Sequence, residues 1–193
     1  MMTREMHSVR LQVFSMGRFQ QLLLFGLFMM TASIQASTTQ NETAAGSGDV
    51  VMGKVEYELP HELGVLSMQL PLHWVGGRAD RVEALWIDQN GKPFKDNVTL
   101  TIRDGNKVEY PEEFLDRAIV ATISSVDPST VSNREKIPTR RLISFQRTIG
   151  GQEIMQTRLF IYTELADKSY LLMLDHSRLL DGVPVDLSQV RIK

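Results

Sequence analysis

The chain has no cysteine among its 193 residues. That absence excludes disulfides, thiolate zinc sites, a cysteine nucleophile and a lipid attached at a cleavage-site cysteine. Clustered positive charge is missing too, since 21 Lys and Arg are spread among 23 Asp and Glu for a net charge of −2. Phosphate-backbone binding depends on such clusters, so nucleic acid is not an expected partner. The most apolar stretch, 22–30, is about half of the roughly 20 residues a membrane span requires. Metal-ligand spacing is also wanting. His61 and His73 sit beside prolines with no i, i+4 partner. Asp88 and Asn90 begin like a calcium loop, but Lys92 and Thr99 occupy the places of its later ligands. Ser67 and Ser144 lack a glycine elbow, and Glu112 with Glu113 is explained by helix-start electrostatics. No catalytic residue, metal or cofactor is therefore assigned.

What is present begins with the segment MGRFQQLLLFGLFMMTASIQA, residues 16–36. Arg18, an apolar run and a small, polar tract ending at Ala36 follow the order read by export machinery and its peptidase. Residues 1–36 are read as a signal peptide, with Met16 as an alternative start and cleavage near Ser37. An uncleaved anchor is the competing reading. Arg4, Arg10 and Arg18 against Glu5 would leave with the signal, so the released chain of about 157 residues is more acidic than the whole, which is enough for one domain with one core. Residues 37–49 are small and polar and read as a flexible leader. The folded domain is expected over 50–193, in the periplasm or outside the cell.

Alternation of apolar and polar residues marks strands over 82–87 and 97–103, joined through a turn at Asn90-Gly91, with weaker strands over 54–59 and 65–70. Pro111 followed by Glu112 and Glu113 opens a helix in which Leu115, Ile119, Thr122 and Ile123 fall at helical spacing, with Phe114 and Ala118 widening the stripe. It should stop before Asp127-Pro128. The strongest pairing signal is a hairpin of 139–149 and 152–164 about Gly150-Gly151. A two-residue turn there sets Leu142 opposite Leu159 and Ser144 opposite Thr157. Residues 168–175 read as a strand buried on both faces, and a short helix is expected from Asp186. Strands on either side of one helix, without βαβ alternation, predict an α+β fold with a mainly antiparallel sheet.

LSMQLPLHW, NVTLTI, the helix from Pro111, the hairpin RRLISFQRTIGGQEIMQTRLFIYTE and KSYLLML together give a pattern that resembles the PsbP-like superfamily. That group includes DcrB-type periplasmic proteins and LpqN-type lipoproteins. The resemblance covers 56–174 and implies an antiparallel sheet flanked by helices, an α/β/α sandwich, in a non-enzymatic binding or assembly role at or beyond a membrane. It carries over no catalytic residue. The tail VPVDLSQVRIK departs from the amphipathic last helix of many relatives.

The second face of the hairpin brings Arg141 opposite Phe160, Ile143 opposite Arg158, Phe145 opposite Gln156 and Arg147 opposite Ile154, with Tyr162 extending it. Guanidinium groups stack on rings and fork onto carboxylate or phosphate, which suits binding. A helix covering this face, with arginine stems lying over apolar neighbours, is the alternative reading. Arg141, Phe145, Arg147, Arg158, Phe160 and Tyr162 are the candidate binding residues. Asp175, His176 and Asp181 form a second candidate, an acid-base site of a secreted hydrolase, although adjacent strand residues point to opposite faces. Trp74 either closes the core or serves as an exposed recognition aromatic. The expected function is an exported, non-enzymatic binding or accessory protein for another envelope protein or a small anionic ligand, with a secreted hydrolase or effector as alternatives.

Overall fold

A computed structural model describes residues 50–90 and 94–193. The signal segment, the leader over 37–49 and turn residue Gly91 lie outside the described residues. Among the described residues there are ten strands, one α-helix and three single 3-10 turns. β1 (Met52–Glu58) and β2 (Val65–Pro71) form an antiparallel pair, to which β10 (Arg191–Ile192) adds as a third strand. β3 (Val75–Ala79), β4 (Val82–Ile87), β5 (Asn97–Asn106), β6 (Ser132–Ile137), β7 (Arg140–Ile149), β8 (Gln152–Leu165) and β9 (Lys168–Leu179) form the second sheet. Its order is β3-β4-β5-β9-β8-β7-β6, antiparallel throughout. α1 (Pro111–Ile123) connects β5 to β6.

The period-two pattern explains the first core. Leu66, Met68 and Leu70 of β2 meet Val98 and Leu100 of β5, Leu159 of β8 and Leu172 and Leu174 of β9 between the two sheets. Each such side chain contributes on the order of 1.5–3 kcal/mol by leaving water. Trp74 is 8% exposed and belongs to this core, where it closes the β2–β3 end. The second core lies on the opposite face of the large sheet, where Leu115 of α1 sits over Ile143, Phe145, Phe160, Tyr162 and Leu171. Within the expected strand 168–175, Ser169 to Leu172 and Leu174 are buried, on both faces, because β9 lies between these cores, while Lys168 is exposed.

Among the described residues the fold is β-rich with one α-helix, which covers one face of the large sheet. The expected α/β/α sandwich is met in part: among the described residues a three-stranded sheet, not a helical layer, lies against the other face. The tail accounts for this. Pro184 removes a backbone donor, and Asp186 then caps one 3-10 turn, Leu187–Gln189, before the chain extends as β10 beside β2. Arg140 fastens this tail. Its guanidinium donates to the carbonyls of Val190, Leu187 and Ser188, each at 2.9 Å, and to Glu135 Oε2 at 2.7 Å.

Candidate functional site

The β7–β8 pairing has the register read from the turn: Arg141 faces Phe160, Ile143 faces Arg158, Phe145 faces Gln156 and Arg147 faces Ile154. Gly150 and Gly151 both take positive φ, at 57° and 80°, as a two-residue hairpin turn of this hand requires. The accessibility of this face differs from the expected binding surface. α1 lies over it, and Arg141, Phe145 and Phe160 are each 1% exposed. An amphipathic helix needs an apolar floor, and these rings supply it beneath Leu115, Ile119 and Ile123.

Arg141 is a tie between helix and sheet. Its Nε donates to Asp116 Oδ1 at 2.8 Å, and its Nη1 donates to the carbonyls of Ile137 and Arg140. The same guanidinium holds the Asp116 carboxyl below its ordinary range, with Lys136 assisting. Tyr162 is likewise occupied: its hydroxyl donates to Glu164 Oε1 at 2.8 Å and accepts from the amide of Val108 at 3.2 Å, which fixes the approach to α1. Arg158 pairs with Asp175 and donates to Thr122 Oγ1 of the helix at 2.9 Å, while its guanidinium lies 5.8 Å from the Phe160 ring centre. Gln156 donates to Asp175 at 3.2 Å and accepts from Arg147 at 3.2 Å. Of the six candidates, Arg147 is exposed and Arg158 half-buried, and the other four are closed off by α1.

The second candidate is divided by the sheet. Asp175 lies on the helix side with Arg158, whereas His176 points into the inter-sheet core at 2% exposure, 6.1 Å from the Trp74 ring. Burial pushes the His176 imidazole down to about 4, and nearby Arg178 acts in the same direction. Asp181 is exposed in the turn after β9. The three do not converge on a reacting atom, and His176 is not positioned to exchange protons with a substrate in water.

Two clefts flank α1. One, of about 530 Å³, lies at its C-terminal end between Asp127, Thr130, Gln146, Arg147 and Glu153. Its charges are of both signs. The other, of about 500 Å³, lies between the first turns of α1 and the ends of β5 and β9. Phe114, Ala118 and Leu171 line its apolar part, and Arg103 and Arg117 reach it from sheet and helix. This cleft exists because α1 rests on β7 and β8. On the same side of the sheet, Leu85 and Ile87 of β4 and Thr99 and Thr101 of β5 are half-buried, whereas their alternating neighbours Ala84, Trp86, Val98 and Leu100 are fully buried. β4 pairs with β5 only through Leu100, so 101–106 of β5 has no strand on its outer edge among the described residues.

Arg103, Gly105 and Arg117 were not legible as a site. The run Arg103-Asp104-Gly105-Asn106 has the composition of a turn, whereas the strand continues through it to Asn106 opposite Lys168. Among the described residues no group of three or more His, Cys, Asp or Glu is placed to hold a metal ion, and no helix is long and apolar enough to cross a membrane.

No family model matches the chain, and no curated protein matches it. Among solved structures, the fold is similar to that of LpqN, described as involved in cell envelope biogenesis of Mycobacterium tuberculosis, with a TM-score of 0.49 and 10% identity over 69% of this chain and 82% of that one. At that distance the likeness transfers no residue role and no activity.

Proposed function

We propose that this protein is an exported, non-enzymatic binding or accessory protein of the PsbP-like type, acting in the periplasm or at the cell exterior. The export segment over 16–36 supports the compartment. The observation that carries the binding role is the cleft beside α1 and the half-buried sheet face next to it. There a sheet that is covered on its other side presents Leu85, Ile87, Thr99 and Thr101 next to a cleft with two cationic walls. Preformed concave sites of this size, apolar with a few convergent polar groups, are the usual form of a small-ligand site. The burial of His176 and the pairing of Asp175 with Arg158 count against the hydrolase alternative.

Fractionation of expressing cells with mass spectrometry of the amino terminus tests the compartment. The expected product begins near Ser37 and is recovered from the periplasm or medium. Recovery of the uncut chain from the cytosol contradicts the proposal.

A further inference from the structure

Arg103 and Arg117 stand on different elements yet line one cleft, and neither makes a hydrogen bond or ion pair with another described residue. Their acidic neighbour is accounted for, because Asp104 pairs with Lys168 at 3.6 Å. Two guanidinium groups beside the apolar surface of Phe114, Ala118 and Leu171 complement a molecule with an anionic head and an apolar body. Guanidinium forks match carboxylate geometry in particular.

Gly105 supplies an independent observation. It sits in a regular antiparallel ladder opposite Ser169 and lines the same cleft. Its backbone does not need glycine: its φ is not among the positive values, and an added Cβ would meet only Ser169 Oγ at 3.9 Å. Gly105 is exposed near the end of β5, and close approach by another group is one of the uses of a glycine in a strand. Gly105 lies two residues beyond Arg103, on the same face. A side chain at 105 would fill the space that the arginines border.

We propose that the Arg103–Arg117 cleft binds a small monocarboxylate with an aliphatic body. The carboxylate sits between the two guanidinium groups, and the body lies over Gly105 against Phe114, Ala118 and Leu171. This inference rests on the binding role proposed above and names its ligand class.

The test is a titration of the purified, isotope-labelled protein as released by its expressing cells, followed by amide resonances, with octanoate, octanol and inorganic phosphate as probes. Octanoate is expected to give saturable shifts centred on Arg103, Gly105, Phe114, Arg117 and Leu171. Octanol and phosphate each lack one half of the recognised chemistry and should bind at least tenfold more weakly. Arg103→Gln and Arg117→Gln should each weaken octanoate about tenfold, the loss of one charge-assisted hydrogen bond. Gly105→Val should abolish binding while holding the melting temperature, which shows that the fold is intact. Octanol binding as well as octanoate, phosphate saturating the same resonances alone, or Gly105→Val binding normally each overturns the assignment. A chain cut near Ser37 that ignores octanoate removes the ligand class and leaves export standing. An uncut cytosolic chain that binds octanoate does the reverse.

Discussion

Arg141 Nε lies 2.8 Å from Asp116 Oδ1, and this pair joins the centre of α1 to strand β7 from beneath the helix. The arginine is 1% exposed, whereas Asp116 reaches solvent, so the two ends of the pair have unequal weight in stability.

Arg141→Ala is expected to destabilise the fold by about 2–4 kcal/mol, because it opens a cavity under α1 and strips the carbonyls of Ile137 and Arg140 of a donor. Asp116→Asn retains an acceptor and should cost much less. Urea unfolding of both variants measures the difference. Equal, small losses would show that the guanidinium does not hold the helix.

Arg140→Met should release the tail. Three carbonyls, those of Leu187, Ser188 and Val190, lose their donor while Glu135 loses its cation. The expected outcome is faster hydrogen exchange at Lys193, whose amide bonds Val65, and through β10, with a global loss of about 2–3 kcal/mol. Protection of Lys193 unchanged from the parent would contradict the clamp.

Acid should destabilise the protein through His176. Burial holds the folded imidazole at about 4 against 6.5 for the free group, so between those values the unfolded chain binds more protons. The stabilisation is fully present above about pH 6.5 and is lost as pH falls to 4, a change of about 3 kcal/mol. Asp96, raised by burial, works in the opposite direction in acid. Comparison with His176→Leu isolates the histidine: the variant should show a flatter stability profile between pH 7 and 4.5, read from urea midpoints. Parallel profiles would show that the imidazole titrates normally in the folded state.

The hairpin turn offers a local test. Gly151→Val places a β-branched side chain at φ 80° and should cost about 1–2 kcal/mol, although an added Cβ meets no neighbour within 4 Å. Thermal unfolding detects it. An unchanged melting temperature would show that the turn readjusts without strain.

The hairpin was legible because the pairing of 139–149 with 152–164 depends only on turn length and side-chain period. The same local rules placed α1 at Pro111. They could not decide whether the Arg141 face was solvent-facing or covered, because that depends on where α1, remote in sequence, comes to rest. β3, with Gly76 and Gly77, and β6, with SNREKI, carry little apolar alternation; both are edge strands, and their pairing comes from the neighbouring strand rather than from their own pattern. His176 was separable from Asp175 by strand parity alone. The Arg103–Arg117 cleft was hidden because its walls come from β5 and α1, and their convergence is tertiary.

Arginine modification by phenylglyoxal, located by peptide mass spectrometry on the native protein, tests the central claim most directly. The claim is that Arg141 belongs to a layer sealed under α1, whereas Arg103 and Arg117 are open to solvent. The expected result is rapid labelling of Arg103 and Arg117, with Arg140 and Arg141 protected until the protein unfolds. Labelling of Arg141 at the rate of Arg103 in the folded state would contradict it.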